Sequence, residues 1–597
     1  MKSKFKTILA ITLTLGIIMS GSISSYAQTH EPNIEFIAKP INNDGKLILV
    51  KNNEAKAEIP SNLLRSKRAA IYPEYYNLFE QGKATNAKYQ GNLGLCWAFG
   101  SLSSVESSIL MKDNADGNID LSERHLGWFN FNGKDYSEDD SLFAGKDNYS
   151  TYGYSPYDIG GSYYNSAATL MRRYGASDET ICSYEFTDDG KLDDGLRTNS
   201  NIYLDSVEIL PSPTYYESDS AGDISAQGLV PKSEFDFAVN SIKEKLMSVG
   251  AVDFSFYEGD SYYNRDTYGY YFDGSIKTDS SDNGFRYPNH EISIVGWDDN
   301  YSKDNFNTTP PENGAWIAKN SWGENWANNG FFYISYYDIG QCDFASFMAE
   351  DTKYQSNGST KHLYKNIYQY DGTIFGATQV STTTKIEAAN VFTSRDNEIL
   401  EAISSATLMP YSTFHYKIYT DLQDKNDPTS GNLVHSGSKT YANAGYYTIS
   451  LDKQIVLDKG EEYSIIISIS FNSDGITKYV LPCEMNYYDA VELDITEDVS
   501  FYSVADTDWN KINPNEKFCG LEIGNAIVKA YTNDSYKFGD PNKDGTIDID
   551  DVSTIQCYVA KLIEFDEYTR SLAELDNDNI ISISDATYLQ MKLSKII

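Results

Sequence analysis

Cysteine is scarce and dispersed: six in 597 residues, at Cys96, Cys182, Cys342, Cys483, Cys519 and Cys557. No CxxC pair occurs, which argues against a zinc ribbon, and the wide spacing argues against the dense disulfide framework of a small secreted domain. Cys483 and Cys519 are a candidate pair, but spacing does not supply the Cα separation that a bridge requires. Positive charge is also short: 48 Lys and Arg against 86 Asp and Glu, a net charge of −38. So acidic a chain lacks the basic surface that nucleic-acid phosphates demand. Histidine is limited to six residues. Long apolar runs are missing after the first thirty residues, and no later stretch reaches the roughly 18 apolar residues of a spanning helix, so no membrane span is expected. The early run, "ILAITLTLGIIM", follows Lys2, Lys4 and Lys6 and precedes "SSYA". That pattern is a secretory signal peptide over 1–27, cleaved after Ala27. Its removal takes three lysines and no acid, leaving about −41.

A chain of this length is expected to hold several domains. Residues 28–70 are polar, contain "RSKR" (Arg65–Arg68), and read as a pro-segment or linker. Residues 71–352 mix helical and strand patterns. One clear helix starts at Cys96, where Ala98, Leu102, Val105 and Ile109 recur at helical spacing. From 360 to 532, short alternating runs such as "EEYSIIISIS" and "FHYKIY", separated by turn signals, predict a β-sandwich. Residues 536–597 hold a motif duplicated at an offset of 34 residues.

Cys96 lies at the junction of a polar glycine-bearing loop and that helix, in "YQGNLGLCWAFGSLSSVESS". A helix N-terminus favours a thiolate. A buried core thiol is the plainer alternative. A thiolate nucleophile needs a proton acceptor and donors for the oxyanion. Gln90, six residues upstream, carries a suitable amide. His290 stands before an apolar run in "YPNHEISIVGWDD", and Asn320 in "AWIAKNSWGENWANNGFFYISYY" is placed to orient an imidazole.

Gln90-Gly91, Cys96-Trp97-Ala98-Phe99, Asn289-His290 and Asn320-Ser321-Trp322-Gly323 together resemble the papain family of cysteine proteases. The resemblance implies Cys96 as nucleophile, His290 as base, Asn320 as its orienter, Gln90 as oxyanion donor, and Trp322 as a shield over the Asn320–His290 bond. It also implies that Gly160 and Gly161 offer backbone hydrogen bonds to a bound peptide. Glu291 falls near the floor of the pocket for the second residue before the scissile bond, where a carboxylate could accept a basic side chain; equally, it could point to solvent. The chain departs from the family at Leu93, Leu95 and Ala327, and 194 residues separate Cys96 from His290, against roughly 130–150 in the family. Surface-loop insertions accommodate the excess at small cost. Within the family, the chain is similar to secreted bacterial members that carry a lectin-like β-sandwich.

In the tail, "GDPNKDGTIDIDD" places oxygen ligands at alternate positions: Asp540, Asn542, Asp544, the Thr546 carbonyl, Asp548 and Asp551, with Gly545 for the turn. "ELDNDNIISISD" repeats the plan with Glu574, Asp576, Asp578, the Ile580 carbonyl, Ser582 and Asp585. Apolar faces follow each loop, at Val552, Ile555, Val559 and Leu562, then at Ala586, Leu589, Leu593 and Ile596. This tail resembles a dockerin, which implies two calcium ions and a cohesin module of a scaffoldin as partner.

The expected fold class is multidomain: an α+β papain-like peptidase domain over 71–352, an all-β sandwich over 360–532 and a small α-helical calcium-binding dockerin over 536–597. The expected function is a secreted, cellulosome-associated cysteine endopeptidase acting on protein or peptide substrates, with no cofactor for catalysis. A rival expectation is a non-catalytic binding or inhibitory cellulosome component that uses the sandwich for glycan recognition.

Overall fold

The structure is a computed structural model. It describes residues 35–40, 47–52, 72–112, 119–135, 143–144, 146–150, 155–158, 160–184, 190–200, 202–218, 224–275, 286–351, 364–372, 381–473, 475–485, 495–514, 517–518, 521–576, 578 and 580–595. The signal peptide expected over 1–27 lies outside them, as do Cys519 and Ile596. Cys483 is a free buried thiol.

The helix expected at Cys96 runs Cys96–Leu110, and every residue after Cys96 is buried. An amphipathic pattern alone would leave one face in water. Here the second face is mostly serine, with Glu106 among it, and the serines dock it onto strands. Ser103 meets Ser293 at 2.7 Å, Ser101 donates to Asp253 at 2.7 Å, and Ser107 bridges the Lys83 carbonyl at 2.7 Å and the Ala251 N–H at 2.9 Å. Small hydroxyls allow close approach and satisfy backbone groups that burial would otherwise strand. The apolar face packs with helices Glu123–Phe131 and Tyr163–Met171.

Strands Val252–Phe256, His290–Asp298, Ala315–Lys319 and Phe331–Ser335 follow one another in one sheet, flanked by helix Lys232–Ser248. Nearly every residue of these strands is buried, polar ones such as Asp253, Glu291 and Lys319 included. Their core is separate from that of the helical half, centred on Phe254, Trp297, Trp316 and Phe332. The two cores meet along the Cys96–Leu110 helix.

The sheet does not stop at the end of the first domain. Strand Ile202–Ile209 pairs with Cys342–Asp351 on one side and with Ala444–Leu457, from the β-rich second domain, on the other. Ala444–Leu457 continues to Glu398–Thr407 and then to Lys529–Asp534. One core cluster likewise draws Leu102, Val207 and Phe347 together with Leu408, Tyr446 and Ile527. One sheet and one core cluster therefore run across the expected boundary between the peptidase domain and the sandwich. A second sheet built around Ile386–Thr393, Glu462–Ser473 and Ser412–Thr420 completes the sandwich. The polar stretch 28–70 contributes a hairpin, Glu35–Pro40 with Leu47–Asn52, added in parallel beside Ser381–Thr382.

The tail forms helices Ile549–Val559, Glu567–Ala573 and Ile583–Leu593. Its apolar faces are only half used. Val552, Ile555, Ala586 and Leu589 are buried together, whereas Val559, Leu562 and Leu593 are exposed, Leu562 at 74%. The first helix ends at Val559, so Leu562 no longer shares its inward face.

Candidate active site

Cys96 is the first residue of its helix, following Leu95, whose carbonyl accepts from the N–H groups of Ala98 and Phe99 at 2.9 and 3.1 Å. Backbone N–H groups of Trp97 and Glu291 face the sulfur; burial pushes the thiol's pKa up and these groups pull it back. Glu291 directly follows His290, so the thiol lies against the start of the histidine strand. Asn289 anchors that start, donating to the Glu258 carbonyl at 3.0 Å and accepting from the Glu258 N–H at 2.6 Å.

His290 Nε2 lies 2.8 Å from Asn320 Oδ1. The same oxygen accepts the Ser321 N–H at 2.8 Å, which fixes the way the amide faces. An acceptor oxygen opposite Nε2 requires Nε2 to donate. Neutral His290 then carries its lone pair on Nδ1, available to take the thiol proton. Burial holds the imidazole down to about 4, against the bond to Asn320 that favours its charge. Each partner alone resists ionisation, so proton transfer from thiol to imidazole is favourable only as it creates a mutually attracting pair. Trp322 stacks on His290, with ring centroids 5.1 Å apart and planes at 19°, and Trp326 meets Trp322 edge-on. The indole thus lies against the imidazole that bonds Asn320.

Gln90 is held from three sides. Its Nε2 donates to the Leu93 carbonyl at 3.0 Å, its Oε1 accepts from the Ser321 hydroxyl, and its N–H donates to the Ser321 carbonyl at 2.8 Å. One amide hydrogen remains to donate elsewhere. Tyr184 further ties the Gln90 carbonyl at 2.8 Å. Gly161 is fixed by contact: a Cβ there would fall 2.7 Å from the Trp97 indole. Gly160 has φ +82 and open space where a Cβ would stand. Glu291 is neither exposed nor facing an open pocket. It is buried on its strand beside Ser255, whose hydroxyl donates to it at 3.3 Å.

Behind the site lies a charged network that motif reading passed over. Lys88 reaches Glu106 at 2.9 Å, Asp120 at 2.6 Å and Glu123 at 2.9 Å. Lys319, next to Asn320, donates to Thr85 at 2.7 Å, and burial lowers it to about 8. Glu123 and Arg124 sit in "LSERHL", yet nothing local marks Glu123 as a partner of Lys88, 35 residues earlier.

In the tail, Gly545 has φ +83, and Asp540 accepts the N–H groups of Gly545 and Asp544 at 3.0 and 3.2 Å. Asp551 accepts those of Asn542 and Asp548 at 3.3 and 2.8 Å; Asp585 does the same for Leu575 and Ser582 at 2.6 and 2.8 Å. Asp548 and Ser582 cap their helices. Among the described residues, ligand atoms of Glu574, Asp576 and Asp578 lie within 4.8 Å of one another. An all-oxygen set of this kind suits calcium.

Residues 72–127 and 159–352 match the papain family cysteine protease, and residues 367–532 match the lectin-like domain. A viral cathepsin of Lymantria dispar multicapsid nuclear polyhedrosis virus is 25% identical over 265 residues, covering 44% of this chain and 54% of its own. Cathepsin J of Mus musculus is 24% identical over 278 residues, covering 46% and 64%. The chain thus spans about half to two thirds of these relatives' length. The protease and lectin-like domains of Cwp84, a surface layer associated protein of Clostridium difficile, superpose with a TM-score of 0.57 at 21% identity, over 85% of this chain and 100% of that one. Cwp84 after propeptide cleavage superposes with a TM-score of 0.56 at 23% identity, over 77% and 99%. These likenesses show the fold: the chain carries a papain-family cysteine peptidase domain followed by a lectin-like β-rich domain.

Proposed function

We propose that this chain is a secreted cysteine endopeptidase hydrolysing peptide bonds through Cys96, His290 and Asn320. One observation carries the reading: His290 Nε2 donates to an Asn320 oxygen whose orientation is set independently by the Ser321 N–H. That leaves the lone pair on Nδ1 to serve as the base for Cys96, the first residue of its helix. The Cys96 thiolate attacks the peptide carbonyl, imidazolium protonates the leaving amine, and water then releases the acyl group. The remaining Gln90 amide hydrogen donates to the oxyanion. Gly160 and Gly161 bind substrate backbone, and Trp322 keeps water from the His290–Asn320 bond.

For the tail, we infer calcium binding and attachment to a cohesin module. Asp540, Asn542, Asp544, Thr546, Asp548 and Asp551 would hold one ion, and Glu574, Asp576, Asp578, Ile580, Ser582 and Asp585 the other. The exposed Ile549, Leu562 and Ile583 leave apolar surface for a partner. The lectin-like domain would bind glycan, and a cell-surface location accords with the surface-layer association of Cwp84.

The test is hydrolysis of a casein or peptide library by the purified chain. Cys96→Ala and His290→Ala are expected to lower kcat/KM by at least about a thousandfold, and Asn320→Ala by about ten- to a hundredfold, because it orients rather than transfers a proton. Undiminished hydrolysis by Cys96→Ala would refute the mechanism. A thiol-directed epoxide that fails to label Cys96 in the wild type would favour a non-catalytic binding role.

A further inference from the structure

Tyr184 closes the far side of the loop that carries the oxyanion donor. Its hydroxyl donates to the Gln90 carbonyl at 2.8 Å, across 94 residues of sequence. Its ring stands edge-on to Phe99, three residues after Cys96, with centroids 5.1 Å apart and planes at 82°. Tyr184 and Leu93 both pack against the core of the helical half. Burial, helped by the charges of Glu123, Glu179 and Cys96, pushes the Tyr184 pKa up, so its hydroxyl stays a donor.

The segment that presents Tyr184 is itself anchored beside Gln90. The Glu179 carboxylate accepts the Tyr184 N–H at 2.6 Å. The Glu179 N–H donates to the Asp120 carbonyl at 2.9 Å, and the Ser122 N–H to the Ser177 carbonyl at 2.9 Å. Asp120 and Leu121 in turn hold Lys88, through an ion pair at 2.6 Å and a bond to the Leu121 carbonyl at 2.8 Å. Lys88 lies two residues before Gln90, so both routes converge on one short stretch of backbone. That stretch needs support. Gly91 follows Gln90 at φ 65, and glycine takes either sign of φ at little cost, so sterics alone leave the Gln90–Gly91 peptide plane free to turn. The Ser321 carbonyl holds one end of Gln90, accepting its N–H at 2.8 Å, and the Tyr184 hydroxyl holds the other. The direction of the side-chain amide depends on both.

We propose that Tyr184 is a positioning residue for the oxyanion donor: its hydroxyl, bound to the Gln90 carbonyl, fixes the peptide plane from which the Gln90 amide is aimed at the reacting carbonyl. It acts through Gln90 and not on the proton transfer between Cys96 and His290. A donor stabilises developing charge most when it is already in place and needs no reorganisation, and a small misplacement forfeits much of that gain. The proposal rests on the peptidase reading of the Cys96–His290 site and adds to it a residue that the sequence did not single out.

The experiment is a double-mutant cycle on the full chain, read with a fluorogenic peptide and, separately, by alkylation of Cys96 with iodoacetamide across pH, followed by peptide mapping. Tyr184→Phe keeps the ring against Phe99 and removes only the hydroxyl. It is expected to lower kcat about tenfold with KM unchanged, as for an interaction realised in the transition state. Gln90→Ala is expected to lower kcat about a hundredfold or more. Adding Tyr184→Phe to Gln90→Ala should cost less than about twofold, since the hydroxyl then has no donor to aim. Gln90→Glu, which keeps the side-chain length, closes the same cycle if Gln90→Ala does not fold. The rate and pH profile of Cys96 alkylation should match the wild type in Tyr184→Phe, whereas a general loosening of the site would change both. Full activity in Tyr184→Phe overturns the proposal. So does an undiminished loss on top of Gln90→Ala, or alkylation slowed in step with hydrolysis. A wild type that is alkylated at Cys96 but hydrolyses no peptide refutes the peptidase reading, and the role of Tyr184 with it.

Discussion

Gly100 lies one helical turn after Cys96, and its lack of a side chain is a steric requirement. A Cβ there would stand 2.5 Å from Asp253 Oδ1 and 3.1 Å from the Ile292 nitrogen. Gly100→Ala is expected to force helix and strands apart, costing about 1–3 kcal/mol and slowing turnover more than it weakens binding; chemical denaturation and steady-state kinetics check both. His125 offers a cleaner electrostatic test. It is fully buried, with Nε2 2.8 Å from the Leu196 carbonyl, and burial lowers its pKa to about 4 from 6.5. The unfolded chain takes up a proton below pH 6.5 that the folded chain refuses until about pH 4. Stability is therefore lost as pH falls through this window. The wild type should lose up to about 3 kcal/mol more than His125→Gln between pH 6.5 and 4, measured by urea unfolding at each pH. An equal slope for both proteins would show that His125 is not the proton-linked group. At this scale the sequence was generous where chemistry demands a particular side chain. Cys96, His290, Asn320 and Gln90 could be singled out from the sequence because few residue types suit the roles proposed for them. The buried cluster of Asp253, Glu291 and Asp343 was not legible, because only the pairing of strands Val252–Phe256, His290–Asp298 and Cys342–Asp351 brings the three together.

The Cys96–Leu110 helix was legible from its apolar period, but the destiny of its other face was not. Serines at 101, 103, 104, 107 and 108 carry no mark of burial in the sequence, yet all are buried. A serine is small and locally self-sufficient in hydrogen bonds, so its sequence signature is the same at a surface and at a tight helix–sheet seam. The strand pattern of 360–532 was equally plain, while the pairing of Ala444–Leu457 with Ile202–Ile209 was out of reach, because register across more than two hundred residues leaves no local trace. That junction can be tested at Gly445. A Cβ there would fall 2.1 Å from the Val207 carbonyl. Gly445→Val is expected to part the two strands at a cost of about 2–4 kcal/mol and to replace one calorimetric transition for residues 72–534 with two. A single unshifted transition would show that the strand pair does not couple the domains.

At the scale of the whole molecule, the tail stands apart in its energetics. Its core is a handful of residues around Val552, Ile555, Ala586 and Leu589, too little to stabilise some sixty residues without help. Chelation is expected to melt helices Ile549–Val559 and Ile583–Leu593 while the peptidase and sandwich stay folded, a selective loss of ellipticity that calcium restores. Asp540→Ala should weaken calcium binding more than Glu574→Ala, since the first loop has Gly545 in its left-handed turn; isothermal titration of the full chain decides. The rest of the molecule has the opposite character. Strands Ile202–Ile209 and Ala444–Leu457 are each other's cover, and a cut anywhere between residues 352 and 367 would strip it from both. Each fragment would then present a long unprotected row of N–H and C=O groups, the usual template for sticking to further copies. The lectin-like half is therefore not a cassette to be clipped off and studied alone, nor one that a lineage could readily trade for another binding module. Any replacement would have to supply a strand of the same register, so inheritance of the two halves is locked together while the tail remains free to be exchanged.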